Sequence, residues 1–149
     1  MKKVAISACL LGCSCRYDAR DNFNKTLLEL LKDTELIPFC PEDACFGTPR
    51  PTMDLLKTKE GVVALSNETE KNISIPLIRY AEDFFYNNPD IELFIGKDRS
   101  PSCAVESARV YDEQKNLLHE EGTGIMAKVA LEFGIECWDA EVYVATHTS

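Results

Sequence analysis

Seven cysteines are spread through a chain of 149 residues, and three of them, Cys9, Cys40 and Cys103, follow short apolar runs: VAIS, ELIPF and, several residues upstream of the third, IELFIG. Such runs read as strands, so each thiol falls at or just beyond a strand's carboxyl end. In an open parallel sheet those ends share one edge, where ligands bind. Three distant thiols would therefore converge. They are an incomplete set for structural zinc, which takes four protein ligands. They are a complete set for a cubane iron-sulfur cluster with one iron left open, because each of three irons takes one thiolate. An open iron is a Lewis acid whose softness favours sulfur.

Other residues near these thiols widen the choice. Cys13 and Cys15 follow Cys9, and Cys45 follows Cys40, so local zinc pairs or redox dithiols are alternatives, although none has the C-x-x-C spacing. Cys137, in IECWDA, reads as a small core hydrophobe. Glu42 stands two residues after Cys40 in a proline-bounded segment; it is either a general acid or base beside the thiols or a solvated carboxylate. Ser7, Ser100 and Ser102 also lie close, though serines in turns commonly bond their own backbone. The two histidines, His119 and His147, fall in a polar turn and in the tail, which argues against a histidine-dependent hydrolase. Arg16, Arg20, Arg50, Lys97 and Arg99 flank the cysteine segments. They make either a pocket for an anionic or electron-rich substrate or a solvated surface.

Bulk composition narrows the class. A hydrophobic fraction of 45% in 149 residues fills one core, so residues 1–149 are expected to form a single domain. No apolar stretch approaches the roughly 20 residues that span a bilayer. A formal net charge of -9 opposes duplex nucleic-acid binding, which needs a basic surface. An odd cysteine count in a chain large enough to bury a core fits metal, cluster or thiol chemistry in the cytoplasm better than an extracellular disulfide framework.

The elements that must position these residues follow from periodicity. KKVAISA at 2–8 reads as a strand buried on both faces, NKTLLELLKD places Leu27, Leu28, Leu30 and Leu31 on one broad helix face, and ELIPFC at 35–40 is a second strand. Together they make a βαβ unit. PEDACFGTPRPTMD, with three prolines and a glycine, reads as a loop, and GVVAL at 61–65 as a brief strand or part of a hairpin. NISIPLIRYAEDFFYNN has helical spacing with Pro76 in a first turn, and IELFIG returns to a strand. ARVYDEQKNLLHEE suggests two short strands around a polar turn. A helix from about Thr123 to Phe133 ends at Gly134, and IECWDAEVYV reads as a last strand or extended tail. The expected fold is α/β: a single compact domain with a mainly parallel sheet flanked by helices in a Rossmann-like manner, its cysteines at the carboxyl ends of strands.

Longer motifs add a family resemblance. SACLLGCSCRYD at 7–18, CPEDACFGTPRP at 40–51, SPSC at 100–103 and GTGIMAKVALEFGIE at 122–136 resemble, in the same order, the bacterial and archaeal family known as domain of unknown function 523. Its characterised branch is the thiouracil desulfidase group. The resemblance implies a [4Fe-4S] cluster held by Cys9, Cys40 and Cys103, with one iron open to substrate sulfur. It implies a role for Glu42, in CPE, and for Ser100 or Ser102, in SPSC, in orienting substrate or water. Departures from the family pattern lie around the same pocket: CFGTPRP replaces GGLPTPRP, Ala19 and Ala104 replace glycines, and Cys13 and Cys45 are additional. The added thiols would bind sulfur, assist its transfer or fill space, and Cys13 joins the candidate catalytic residues.

The resemblance also bears on the first residues. MKKVAISACLLGC can be read as a short secretion signal ending at a lipidated cysteine, but the family retains ACLLG as an active-site strand and loop, and the apolar run is short for a signal. The expectation is a cytoplasmic, non-redox desulfidase acting on a small thiolated molecule, with water activated by Glu42 replacing sulfur and with Arg16, Asp18 and Arg50 holding the substrate. A sulfide carrier using the same cluster and handing sulfur to an acceptor protein is the first alternative. A zinc-stabilised binding module is the second.

Overall fold

The computed structural model describes residues 2–12, 23–48 and 50–148. Strands β1 (Lys3–Ser7), β2 (Glu35–Phe39), β5 (Ile91–Gly96) and β8 (Glu136–Asp139) form one sheet in the order β2-β1-β5-β8, with every neighbour parallel. The chain moves outward from β1 to β2 on one side and from β5 to β8 on the other. The strand order therefore reverses between β1 and β5, and such a switch point opens a crevice at the carboxyl edge.

The apolar runs take their central places by alternation. Val4 and Ile6 of β1, with Leu93 and Ile95 of β5, face Leu27 of α1 (Lys25–Leu30), Leu31 just after it, and Ala140, at the start of α5 (Ala140–His147). Ala5 and Phe94 face the other way, toward Ala81 and Phe85 of α3 (Ser74–Asn87) and Met126 and Ala130 of α4 (Ile125–Glu132). Val4, Ala5 and Ile6 have no exposed surface, as a strand covered on both faces requires. Phe39 and Phe94 stack at 4.9 Å between ring centroids in this layer.

A second, mixed sheet was not anticipated. It runs β4-β3-β6-β7, pairing β3 (Met53–Thr58) with β4 (Gly61–Ser66) and β6 (Ala108–Tyr111) with β7 (Leu117–Gly122) as hairpins, and joining β3 to β6 in parallel. Leu55, Ala64, Ala108 and Val110 pack from it onto Leu77 of α3 and Ile125 of α4, so those helices serve two cores.

Two expectations are corrected. The segment read as a loop from 41 to 54 begins with a helix, α2 (Pro41–Phe46), and ends in β3. Proline at the first helical position loses no hydrogen bond, and Glu42 and Asp43 in the first turn suit the positive helix end. IECWDAEVYV, read as a last strand or extended tail, is a strand only as far as Asp139, where β8 stops and α5 follows. Its first-turn Glu141 N–H donates to Asp98 Oδ1 at 2.8 Å, a cap supplied from 43 residues away and invisible to local pattern.

Candidate active site

The carboxyl ends of β1, β2 and β5 carry the three thiols to one place. Cys9 sits in the 3₁₀ turn Ala8–Leu11 directly after β1, Cys40 is the residue between β2 and α2, and Cys103 lies in the loop after β5. All three line one cavity of about 400 Å³, together with Glu42, Ser100 and Ser102. The same wall includes Lys97, Asp98 and Arg99, and the Arg99 guanidinium pairs with Glu141 at 2.9 Å.

The loop bearing Cys103 is held tightly. A Cβ on Gly96 would stand 1.8 Å from the Cys103 carbonyl oxygen, and one on Gly124 would stand 2.5 Å from the Ser102 carbonyl carbon. Only glycine permits backbone to approach backbone this closely, at the end of β5 and at the start of α4. The Met126 and Ile125 N–H groups donate to the Ser102 and Pro101 carbonyls at 2.8 and 3.1 Å. Ser100 Oγ accepts from the Cys103 N–H at 3.1 Å and from the Ser102 N–H at 3.3 Å. Buried Asp139 completes the clamp, its two oxygens accepting from the Val105 and Glu106 N–H groups, each at 2.8 Å. Ser7 Oγ accepts from the Lys97 N–H at 3.0 Å and ties the ends of β1 and β5.

Within this frame runs a polar chain. Ser102 Oγ donates to Glu42 Oε2 at 2.6 Å and lies 3.3 Å from Cys103 Sγ. Glu42 Oε1 faces Arg50 Nε at 3.6 Å. Burial pushes the Cys103 thiol up to about 12; the Ser102 and Ser7 hydroxyls draw it down, while Glu42 and Cys40 add to the rise. Without a compensating positive charge this thiol stays protonated at neutral pH, unlike a reactive nucleophilic cysteine. Tyr80 Oη accepts from the Cys40 N–H at 3.3 Å, and burial raises the phenol. Burial, then the charge of neighbouring Arg99, lowers Lys97, whose ammonium donates to the Asp98 carbonyl at 3.0 Å.

The structure thus brings together Cys9, Cys40, Cys103, Glu42, Ser100 and Ser102. Arg50 does not line the cavity and stands behind Glu42. Cys13, Arg16 and Asp18, with Cys15 and Arg20, lie outside the described residues. Cys45 points away, its thiol donating to the Pro76 carbonyl at 3.5 Å, and Cys137 packs partly buried against the core on β8. Sequence reasoning missed Tyr80, Asp98 and Asp139. Asp98 stands two residues before the SPSC motif and offered a signal, whereas Tyr80, 40 residues from Cys40, offered none.

Fold and site define an α/β protein with a cysteine-edged cavity, served by a carboxylate and a hydroxyl, at the switch point of a parallel sheet. The sequence pattern of the 2-thiouracil desulfurase family matches residues 4–141, and the chain belongs to that family. The family makes it a desulfidase-type enzyme. Among solved structures, it is similar to a [4Fe-4S]-dependent thiouracil desulfidase, TudS, with a TM-score of 0.73 and 23% identity over 98% of this chain and 97% of that one. At that identity the likeness establishes the α/β fold. No curated protein matches the chain by sequence.

Proposed function

We propose that this chain is a cytoplasmic, single-domain enzyme that replaces the sulfur of a thiouracil-like heterocycle by oxygen, with a [4Fe-4S] cluster held by Cys9, Cys40 and Cys103. The observation that carries the reading is the meeting of these three thiols, from three separate segments, around one cavity that also holds the Ser102–Glu42 pair. The donor set fits such a group. A cubane spreads three cysteine ligands over three irons. When bound, the cluster supplies a Lewis-acidic iron with affinity for sulfur.

The chain's own groups account for the remaining chemistry. Glu42 Oε2 acts as general base toward a water at the cavity, and Ser102 Oγ, within hydrogen-bond reach of that oxygen, orients the water or passes its proton. A carbon–sulfur bond breaks, a carbon–oxygen bond forms, water enters and hydrogen sulfide leaves. No electrons are exchanged. Ser100 fixes the loop that presents Cys103, and Lys97 is a cationic group on the wall able to meet a polar edge of the heterocycle. Arg16 and Asp18 as substrate contacts, and Cys13 as an assisting thiol, rest on the motif. Among the described residues no helix is long and apolar enough to cross a membrane.

The test is iron and acid-labile sulfide per chain, with the visible spectrum, on protein prepared without oxygen, beside single alanine variants of the three cysteines. About four irons in the parent, lost from each variant, together with sulfide release from thiouracil, support the proposal. A parent without iron, or variants that keep it, refutes the cluster. An iron-loaded parent that releases sulfide only when an acceptor protein is added establishes the carrier reading instead.

A further inference from the structure

We infer that Arg50 is a positioning residue for the reaction: it acts through Glu42 and does not touch the substrate. Its side chain is 4% exposed and that of Glu42 14%, so both charges have left bulk water. A buried guanidinium requires an anionic or hydrogen-bonding partner. Nη1 has such partners, donating to Thr48 Oγ1 at 2.8 Å and the Gly47 carbonyl at 3.2 Å, and the Thr48 hydroxyl in turn donates to Asp43. Nε has no hydrogen-bond partner among the described residues; it faces Glu42 Oε1 at 3.6 Å. Oε1 is thereby turned toward the guanidinium, and Oε2 is left to Ser102 and the cavity. Arg50 itself is absent from the cavity wall. The fork thus anchors the loop after α2 with one nitrogen and aims the carboxylate with another, a division of labour that a lysine, with one point of charge, cannot reproduce.

The kinetic arm of the test rests on the desulfidase reading, and the unfolding arm does not. The variants are Arg50→Gln, Arg50→Lys, Glu42→Gln and the Arg50→Gln/Glu42→Gln double. Arg50→Gln lowers kcat for sulfide release from thiouracil by roughly 10- to 100-fold, the scale of a misplaced catalytic group, with KM within about twofold and iron per chain unchanged. Arg50→Lys recovers part of kcat. In the Glu42→Gln background Arg50→Gln lowers kcat no further. A raised KM with intact kcat would place the guanidinium on the substrate, and losses that multiply would place its action elsewhere; either overturns the inference. In thermal unfolding of the full chain, the double variant loses less than the sum of the single losses, because removing one member strands the other. Additive losses overturn the inference even if no thiolated base is turned over. Non-additive unfolding without turnover upholds the Arg50–Glu42 coupling and refutes the desulfidase reading alone.

Discussion

Gly96→Ala adds one methyl group at the seam between the sheet and the cavity. The new Cβ would lie 1.8 Å from the Cys103 carbonyl oxygen and 2.9 Å from its carbonyl carbon, whereas real Cβ contacts do not fall below 3.0 Å. The loop must therefore move by more than about 1 Å, and it is backbone that must yield. Overpacking of this kind costs about 1–3 kcal/mol, and the upper end applies because the neighbour cannot rotate away. For a chain of this length, 3 kcal/mol corresponds to roughly 6–12 °C in Tm. The same shift displaces the thiol attached to the moved residue, so iron retention falls with stability. Gly134→Ala is the control: its φ is +77° with nothing within 4 Å of the added atom, so only left-handed backbone strain of about 1–2 kcal/mol is expected. The assays are thermal unfolding and iron per chain after reconstitution without oxygen. A Gly96→Ala protein as stable as the parent, or one that loses stability equally with Gly134→Ala and keeps all its iron, would refute the close-approach reasoning.

Ser102→Ala removes the only hydroxyl bonded to Glu42 Oε2 among the described residues and should lower turnover of thiouracil by about 10²-fold or more while iron content stays at the parental value. Asp139→Ala strands the Val105 and Glu106 N–H groups; the expected loss is about 2–4 kcal/mol by urea unfolding, with Asp139→Asn milder because it keeps an acceptor. Burial raises the Cys137 thiol to about 12, so the unfolded chain ionises first on raising pH and binds fewer protons than the folded one. Its contribution is fully present below the ordinary thiol range and is lost between about pH 9 and 12. Replacing Cys137 with Val should flatten the decline in urea midpoint across that window, and an unchanged slope would contradict it.

Much of the site was legible because its chemistry is carried by residue types placed at strand ends. Apolar runs as short as VAIS or IELFIG, bounded by polar turns and rich in branched residues, suit a strand covered on both sides better than a helix, and the residues just after such a strand reach the sheet's carboxyl edge. Cys9, Cys40 and Cys103 could be grouped on that ground alone. Pro41 misled because its effect depends on position: inside a helix it breaks the hydrogen-bond ladder, and at the first residue it does not. MDLLKT was illegible as a strand because β3 gains its pairing from β4 and β6, and β6 begins about 50 residues away.

The parallel core, the three thiols at its edge and the family to which they belong were determined by the sequence itself, since local periodicity and motif order need no knowledge of packing. The tertiary structure alone decided which oxygen of Glu42 meets Ser102, that Arg50 stands behind that carboxylate and not on the cavity wall, and that Asp98 caps a helix 43 residues onward. Those contacts depend on the relative placement of segments far apart in the chain, which is set when the two sheets and the helices between them close on one another.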